Sequence, residues 1–241
     1  MDHYAIILAS GRGLRFGNNS AKHLAKIGGI PVLIWCITSV IQVKKYCEIV
    51  IVIDKKYEED TYAELSKFSD LNSNRITLVH GSTERMVSFF NGYSYLLSRN
   101  INQYDALITL VDANRPFTSA SQYKAISELA AKHHSSCLAR PIVNGVAKIN
   151  GNNIVQVPNK NEFVEFVTPE CIKSKLLNDL DKHNFIEVTS LVDIALNRGV
   201  FPKIFPSTDL NFKLTYPDDS SYLNSLIQKY KISPPNLNKN I

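Results

Sequence analysis

No stretch of the 241-residue chain approaches the about 20 consecutive apolar residues that a membrane-spanning helix needs. Cysteine is sparse. Cys36, Cys47, Cys137 and Cys171 stand apart, with no CxxC pair, which argues against a disulfide framework and against closely spaced zinc ligands. No block of Lys and Arg marks a nucleic-acid-binding tail, so neither nucleic acid nor membrane is an expected partner. Met1-Asp2-His3 carries no basic leader, and the expectation is a cytoplasmic protein with four reduced thiols. Internal repeats and low-complexity linkers are also lacking.

What is present is ordinary in amount and informative in order. Hydrophobic residues make up 44% and charged residues 20%, with a net charge of +5, as in a soluble globular protein. The length suits one large α/β domain, read here as residues 1–241. Apolar runs at Tyr4–Ala9, Glu48–Asp54, Ile76–Val79, Asp105–Val111 and Phe201–Phe205 read as strands. Helical spacing covers Pro31–Val43, Tyr57–Phe68, Glu84–Ser98, Ser119–His133, Pro169–Leu180, Ser190–Gly199 and Tyr216–Tyr230, with Gly199 as a C-terminal cap. Strand and helix alternating in this way predict a doubly wound, mostly parallel sheet of Rossmann-like type, with its ligand at the carboxyl ends of the strands. From Arg140 to Thr168 apolar and polar residues alternate around a turn at Asn150–Asn153, predicting a β-arm that leaves the main sheet.

Four segments carry chemistry. The first strand runs into a loop holding Gly11, Gly13 and Gly17 among Arg12, Arg15 and Lys22. Glycine lets backbone N–H groups approach a ligand, and the cations point to an anion, hence a phosphate. The spacing is wrong for a dinucleotide fingerprint, and no Gly-Lys-Ser/Thr closes a Walker loop. That argues against a dehydrogenase. The second segment, His80–Gly92, has Gly81, Ser82, Arg85 and Ser88 where a base or ribose could be met, while Ser82 or Thr83 could equally cap the following helix. In the third, Leu110–Thr118, Asp112 stands at a strand end where a metal-binding carboxylate or a plain turn residue fits, and Arg115 precedes Pro116. In the fourth, Asp209, Asn211 and Lys213 share one side of an extended segment.

Taken in order, these segments resemble the cytidylyltransferases that activate polyol phosphates, such as those acting on 2-C-methyl-D-erythritol 4-phosphate or ribitol 5-phosphate. The resemblance rests on Ala9-Ser10-Gly11 with Gly13, Arg15, Phe16 and Gly17, on Lys22, on Gly81 to Gly92, on Asp112 to Phe117, on Thr168-Pro169-Glu170, and on Asn211 to Asp219. It implies a nucleotidyltransferase that uses CTP and Mg²⁺ and forms a homodimer through the arm. Implied catalytic cations are Arg15, Lys22 and Lys213. Ala9, Ser10, Gly11, Arg12, Gly13, Gly81, Ser82, Arg85, Ser88, Asp112 and Ala113 are the implied nucleotide contacts. Asp112 and Asp209 are the implied metal ligands, and Arg115, Lys148, Lys160 and Thr168 the implied acceptor contacts.

The acceptor half departs from the family pattern. Val146 stands near a threonine's place, and Lys160 replaces an arginine, losing its two-pronged grip on phosphate. The sequence therefore favours ribitol 5-phosphate or a related polyol phosphate for a cell-surface polymer. The alternatives are 2-C-methyl-D-erythritol 4-phosphate, use of another nucleotide such as UTP, and a non-catalytic nucleotide-binding relative.

Overall fold

In the computed structural model, which describes residues 1–233 except 12, 14, 18–20, 72–73 and 208–209, the chain opens with β1 (Asp2–Leu8). A small hairpin follows, β2 (Lys26–Ile27) and β3 (Ile30–Pro31), and leads into α1 (Val32–Ile41). Next come β4 (Tyr46–Ile53), α2 (Glu58–Ser66), β5 (Ile76–His80), α3 (Arg85–Ser98), β6 (Ala106–Asp112) and α4 (Ala120–His133). The second half holds β7 (Ser135–Pro141), β8 (Lys148–Asn150), β9 (Asn153–Gln156) and β10 (Val164–Lys173). It closes with α5 (Lys182–Glu187), α6 (Leu191–Asn197), β11 (Lys203–Pro206) and α7 (Asp219–Tyr230).

The main sheet has the order β11-β7-β10-β6-β1-β4-β5. β1 lies parallel to both β4 and β6, with Ile6 opposite Val50 and Leu110. β4 and β5 are parallel, as are β7 and β11, and within the main sheet β10 runs antiparallel to both of its neighbours. Both faces are covered, which explains the unbroken apolar runs. Ala5 and Ile7 join Ile49, Ile51 and Ile53 against Leu33, Ile34 and Ile37 of α1. Tyr4 and Ile6 join Val50 and Val52 on the other face, against Phe89, Tyr93 and Leu96 of α3 and Phe185 of α5.

The anticipated strands and most helices lie within a few residues of their expected ends. Ser119 caps α4, and its side chain accepts from Gln122 N as Gln122 answers back. Gly199 follows α6 with φ of 70°, the left-handed conformation expected of a cap.

Three readings need correction. Pro169–Leu180 is not a helix: its first half completes β10, wedged between β6 and β7 with Val167 to Ile172 buried. Apolar spacing there satisfies a helix as well as a strand, and the burial of both faces decides for the strand. The hairpin β2–β3, turned by Gly28 and Gly29 at φ of 56° and 77°, was not anticipated, nor was α5, which Asp181 caps. Finally, neither Ser82 nor Thr83 caps α3. Glu84 sits at the cap position, and both hydroxyls donate to its carboxylate at 2.9 and 2.6 Å.

Arg140 and Glu165 pair at the base of the arm at 2.8 Å. β8 and β9 form the arm's hairpin around Gly151, at φ of 55°. Cys36, Cys137 and Cys171 are buried, Cys47 is exposed, and none is bonded to another.

Candidate active site

Residues at the ends of β1 and β6 and in the turn after β5 line one pocket. The chain leaves β1 with Ala9 N still donating to Val52 O at 2.7 Å, so the loop begins pinned to the sheet. It then turns tightly, Phe16 N donating to Gly13 O at 2.7 Å, with Gly13 and Gly17 at φ of 59° and 114°. Those two glycines shape the loop but do not line the pocket, whereas Ala9, Ser10 and Gly11 do. Arg15 and Lys22 project into it from the same loop. The Arg15 guanidinium lies over the ring of Tyr216, 5.9 Å from its centroid.

Opposite them stands Asp112, the last residue of β6. Arg85 donates to its Oδ1 through Nε at 3.2 Å and Nη2 at 3.1 Å. Lys213 donates to Oδ2 at 2.9 Å, and Arg115 Nε lies 3.9 Å from the same oxygen. Burial alone would push this carboxyl up, but Arg85, Lys213 and Arg115 outweigh it and hold it well below the usual carboxylate range. Among the described residues, four cations line the pocket (Arg15, Lys22, Arg85 and Lys213) against one carboxylate. Such a surplus attracts a polyanion.

Lys22 feels that surplus. Burial, with Lys213 and Arg15 nearby, lowers its pKa to about 8, although Asp112 opposes the shift. His23, next along the chain, is 4% exposed and bonds Thr61 Oγ1 through Nε2 at 3.0 Å. The Thr61 hydroxyl hydrogen goes to Tyr57 O at 2.6 Å, so His23 Nε2 is the donor in its own contact. Burial pushes the His23 pKa down to about 4, leaving a neutral ring.

Lys213 is placed by its neighbours. Leu214 N donates to Asn114 O, and Asn114 Nδ2 returns a bond to Leu214 O at 2.8 Å. Asn211, fully buried, donates to Thr168 O, and its own carbonyl accepts from Arg115 Nη1 at 2.8 Å. Asn211 therefore does not share a face with Lys213 toward the site, as the period-two reading held. It is the joint that ties three segments together.

Several expected contacts are relocated by the structure. Ser88 is 1% exposed, and its hydroxyl is fully engaged. It donates to Ser82 O and accepts from Ser10 Oγ at 2.8 Å and Ser82 N at 2.9 Å. Arg115 is buried and does not line the pocket, its Nη1 donating to Asn211 O. Thr168 is buried in β10, its carbonyl taken by Asn211. Lys148 and Lys160 sit on the arm away from this pocket, Lys160 donating to Val143 O at 3.1 Å. Arg12 and Asp209 lie outside the described residues.

Of the expected magnesium ligands, Asp209 lies outside the described residues, which leaves Asp112. The Asp112 carboxylate is already bonded by Arg85 and Lys213. No group of three His, Cys, Asp or Glu side chains gathers among the described residues.

Sequence reasoning also missed participants. Glu170 is buried beside Arg85, with 3.5 Å between Oε1 and Nη2, and its Oε2 accepts from Leu191 N and Val192 N at the start of α6. Arg85 Nη1 donates to Thr189 O at 2.9 Å. Glu170 stood in a matched motif, but nothing in its local sequence pointed to Arg85.

Comparison with known proteins agrees with this geometry. The family model described as IspD, 2-C-methyl-D-erythritol 4-phosphate cytidylyltransferase, matches residues 3–229. The chain is 24% identical over 230 residues to the 2-C-methyl-D-erythritol 4-phosphate cytidylyltransferase of Halalkalibacterium halodurans, covering 94% of this chain and 97% of the relative. The chloroplastic protein of that name from Oryza sativa is 26% identical over 220 residues, covering 89% and 70%. The crystal structure of 4-diphosphocytidyl-2C-methyl-D-erythritol synthase from Anaerococcus prevotii superposes with a TM-score of 0.78 at 25% identity, covering 94% and 98%. These relatives lend no support to ribitol 5-phosphate, the acceptor favoured from the arm. A fold shared end to end, with a glycine-rich loop that lines one pocket with Asp112 and Lys213, leaves one assignment: the chain belongs to the 2-C-methyl-D-erythritol 4-phosphate cytidylyltransferase family and is a CTP-dependent cytidylyltransferase.

Proposed function

We propose that the chain transfers CMP from CTP to 2-C-methyl-D-erythritol 4-phosphate with release of pyrophosphate. The observation carrying the choice of acceptor is the family match over residues 3–229, which runs through the arm as well as the nucleotide half.

An oxygen of the acceptor phosphate attacks the α-phosphorus of CTP. The new P–O bond forms as the bond to the bridging oxygen of pyrophosphate breaks. The nucleophile is already an anion, so no general base is required. The barrier is repulsion between phosphates and their alignment, and fixed cations lower both. Arg15 and Lys22 reach the triphosphate from the loop, and Lys213 reaches it from the opposite wall. Asp112 holds Lys213 and Arg85 in place before substrate arrives.

The arm supports self-association. Val143, Ile149, Ile154 and Val157 are each more than half exposed on it, an apolar surface that a second copy would cover. In such a pair, Lys148 and Lys160 supply acceptor contacts from the arm. Sedimentation of the wild type and of Val157→Glu tests this: a dimer reduced to monomer by the charge is expected, and a monomeric wild type refutes it.

The acceptor is tested by pyrophosphate release from CTP with a panel of polyol phosphates. Turnover of 2-C-methyl-D-erythritol 4-phosphate above the others is expected. Turnover of ribitol 5-phosphate in its place would overturn the reading.

A further inference from the structure

Beside the charged pocket lies a recess lined by Ser10, Asp54, Gly81, Ser82 and Thr83. It shares Ser10, Ser82 and Thr83 with the main pocket, so the two are continuous. The cations Arg15, Lys22 and Lys213 line the main pocket and not this recess. A nucleoside triphosphate laid with its phosphates among the cations therefore directs its base toward the recess.

The recess is built from two strand ends. Asp54 follows the last residue of β4, and Ile53 O accepts from Gly81 N at 2.8 Å, holding the turn after β5 alongside. Gly81 is required there: a Cβ would lie 2.5 Å from Ser10 Cβ and 2.9 Å from Ser88 Oγ.

The hydroxyls around the recess have their hydrogens committed. Ser10 donates to Ser88, Ser88 to Ser82 O, and both Ser82 and Thr83 to Glu84. Asp54 differs. Its Oδ1 accepts from Lys56 N at 3.0 Å, and its Oδ2 has no hydrogen-bond partner among the described residues. A carboxylate oxygen in this position is an acceptor in search of a donor.

Cytosine carries an amino group at C4, whereas uracil and thymine carry a carbonyl oxygen there. We propose that Asp54 is a specificity-determining residue that accepts the exocyclic amine of the base and repels a carbonyl at the same position. A site built on a hydrogen bond to the favoured ligand disfavours the analogue that cannot make it, because the carboxylate then faces another acceptor. The proposal rests on the reading that this pocket takes CTP, and it is independent of which acceptor phosphate is used.

Binding of CTP and UTP is measured by titration calorimetry without acceptor, and kcat/KM for each nucleotide with a fixed acceptor. Both are done on wild type, Asp54→Asn and Asp54→Ala. Asn retains the bond from Lys56 N and offers an amide that can donate to a carbonyl. The wild type is expected to favour CTP, and Asp54→Asn to reduce the CTP-to-UTP ratio about tenfold or more, through KM rather than kcat. A ratio within about twofold of wild type in a folded variant, judged by its thermal midpoint, overturns the proposal. So does a wild type that binds UTP as tightly as CTP, whatever the variants do. Failure of the acceptor panel leaves the binding ratio intact, so the two ideas fail separately.

Discussion

Lys213 Nζ donates to Asp112 Oδ2 over 2.9 Å, joining residues 101 positions apart at the mouth of the pocket. The pair does two things. It gives the Asp112 carboxylate a third cationic partner beside Arg85 and Arg115, and it holds an ammonium in the pocket that Arg15 and Lys22 also line.

Removing the carboxylate charge should therefore cost stability as well as rate. Asp112→Asn removes the carboxylate that Arg115 and Lys213 share and leaves Arg85 with Glu170 alone. A loss on the order of 3 kcal/mol in urea unfolding is expected, together with a fall in kcat/KM. Lys213→Met separates the two effects. Its side chain is 37% exposed, so unfolding should change little, while turnover drops about 100-fold or more. Equal stability losses in both variants would refute this division of labour.

Lys22 sets an alkaline limit. Its pKa is lowered to about 8 by burial and by its cationic neighbours, so the ammonium is lost as pH rises through that value. A pH profile of kcat/KM for CTP should decline above about pH 8. Lys22→Arg, charged throughout, should lack that limb even if its overall rate is lower.

His23 sets an acidic limit on stability rather than on rate. Burial, helped by Lys22 and opposed by Asp54, holds its folded pKa at about 4 against 6.5 for a free histidine. Because the folded value is depressed, the stabilisation is complete above 6.5 and is lost as pH falls toward 4. The loss across that window is on the order of 3 kcal/mol. Thermal midpoints between pH 7 and 4.5 should fall in wild type and fall less in His23→Gln.

Gly92 tests how closely α3 rides on the sheet. A Cβ there would lie 2.8 Å from Ile6 Cγ2 and 3.0 Å from Val52 Cγ2. Alanine gains about 1 kcal/mol of helix propensity over glycine, but overpacking a tight core costs about 1 to 3 kcal/mol. Gly92→Ala is expected to lower the unfolding midpoint. A raised midpoint would show that propensity wins and that the contact relaxes freely.

The parts legible in the sequence share a physical cause. β4 and β6 read as strands because both faces are covered, so nearly every residue is apolar. Gly11, Arg15, Lys22, Asp112 and Lys213 stood out because a phosphate site needs free backbone and cations at strand ends, and the structure gathers them around one pocket. The arm was legible in its alternation, and its exposed residues remain exposed in the single chain. Residues 169–180 misled because their apolar spacing suits either element, and only pairing with β6 and β7 settles it.

The order of amino acids alone determined the alternation of strand and helix, the glycine-rich turn and the inventory of charged groups, because each depends on residues near one another along the chain. Tertiary structure alone decided that Ser88 is consumed by Ser10 and Ser82, that Arg115 is a buried tie to Asn211, and that Arg85 spans Asp112, Glu170 and Thr189. Those partners come from segments separated by up to 104 positions, and a side chain's bonds are settled only when packing brings such segments into contact.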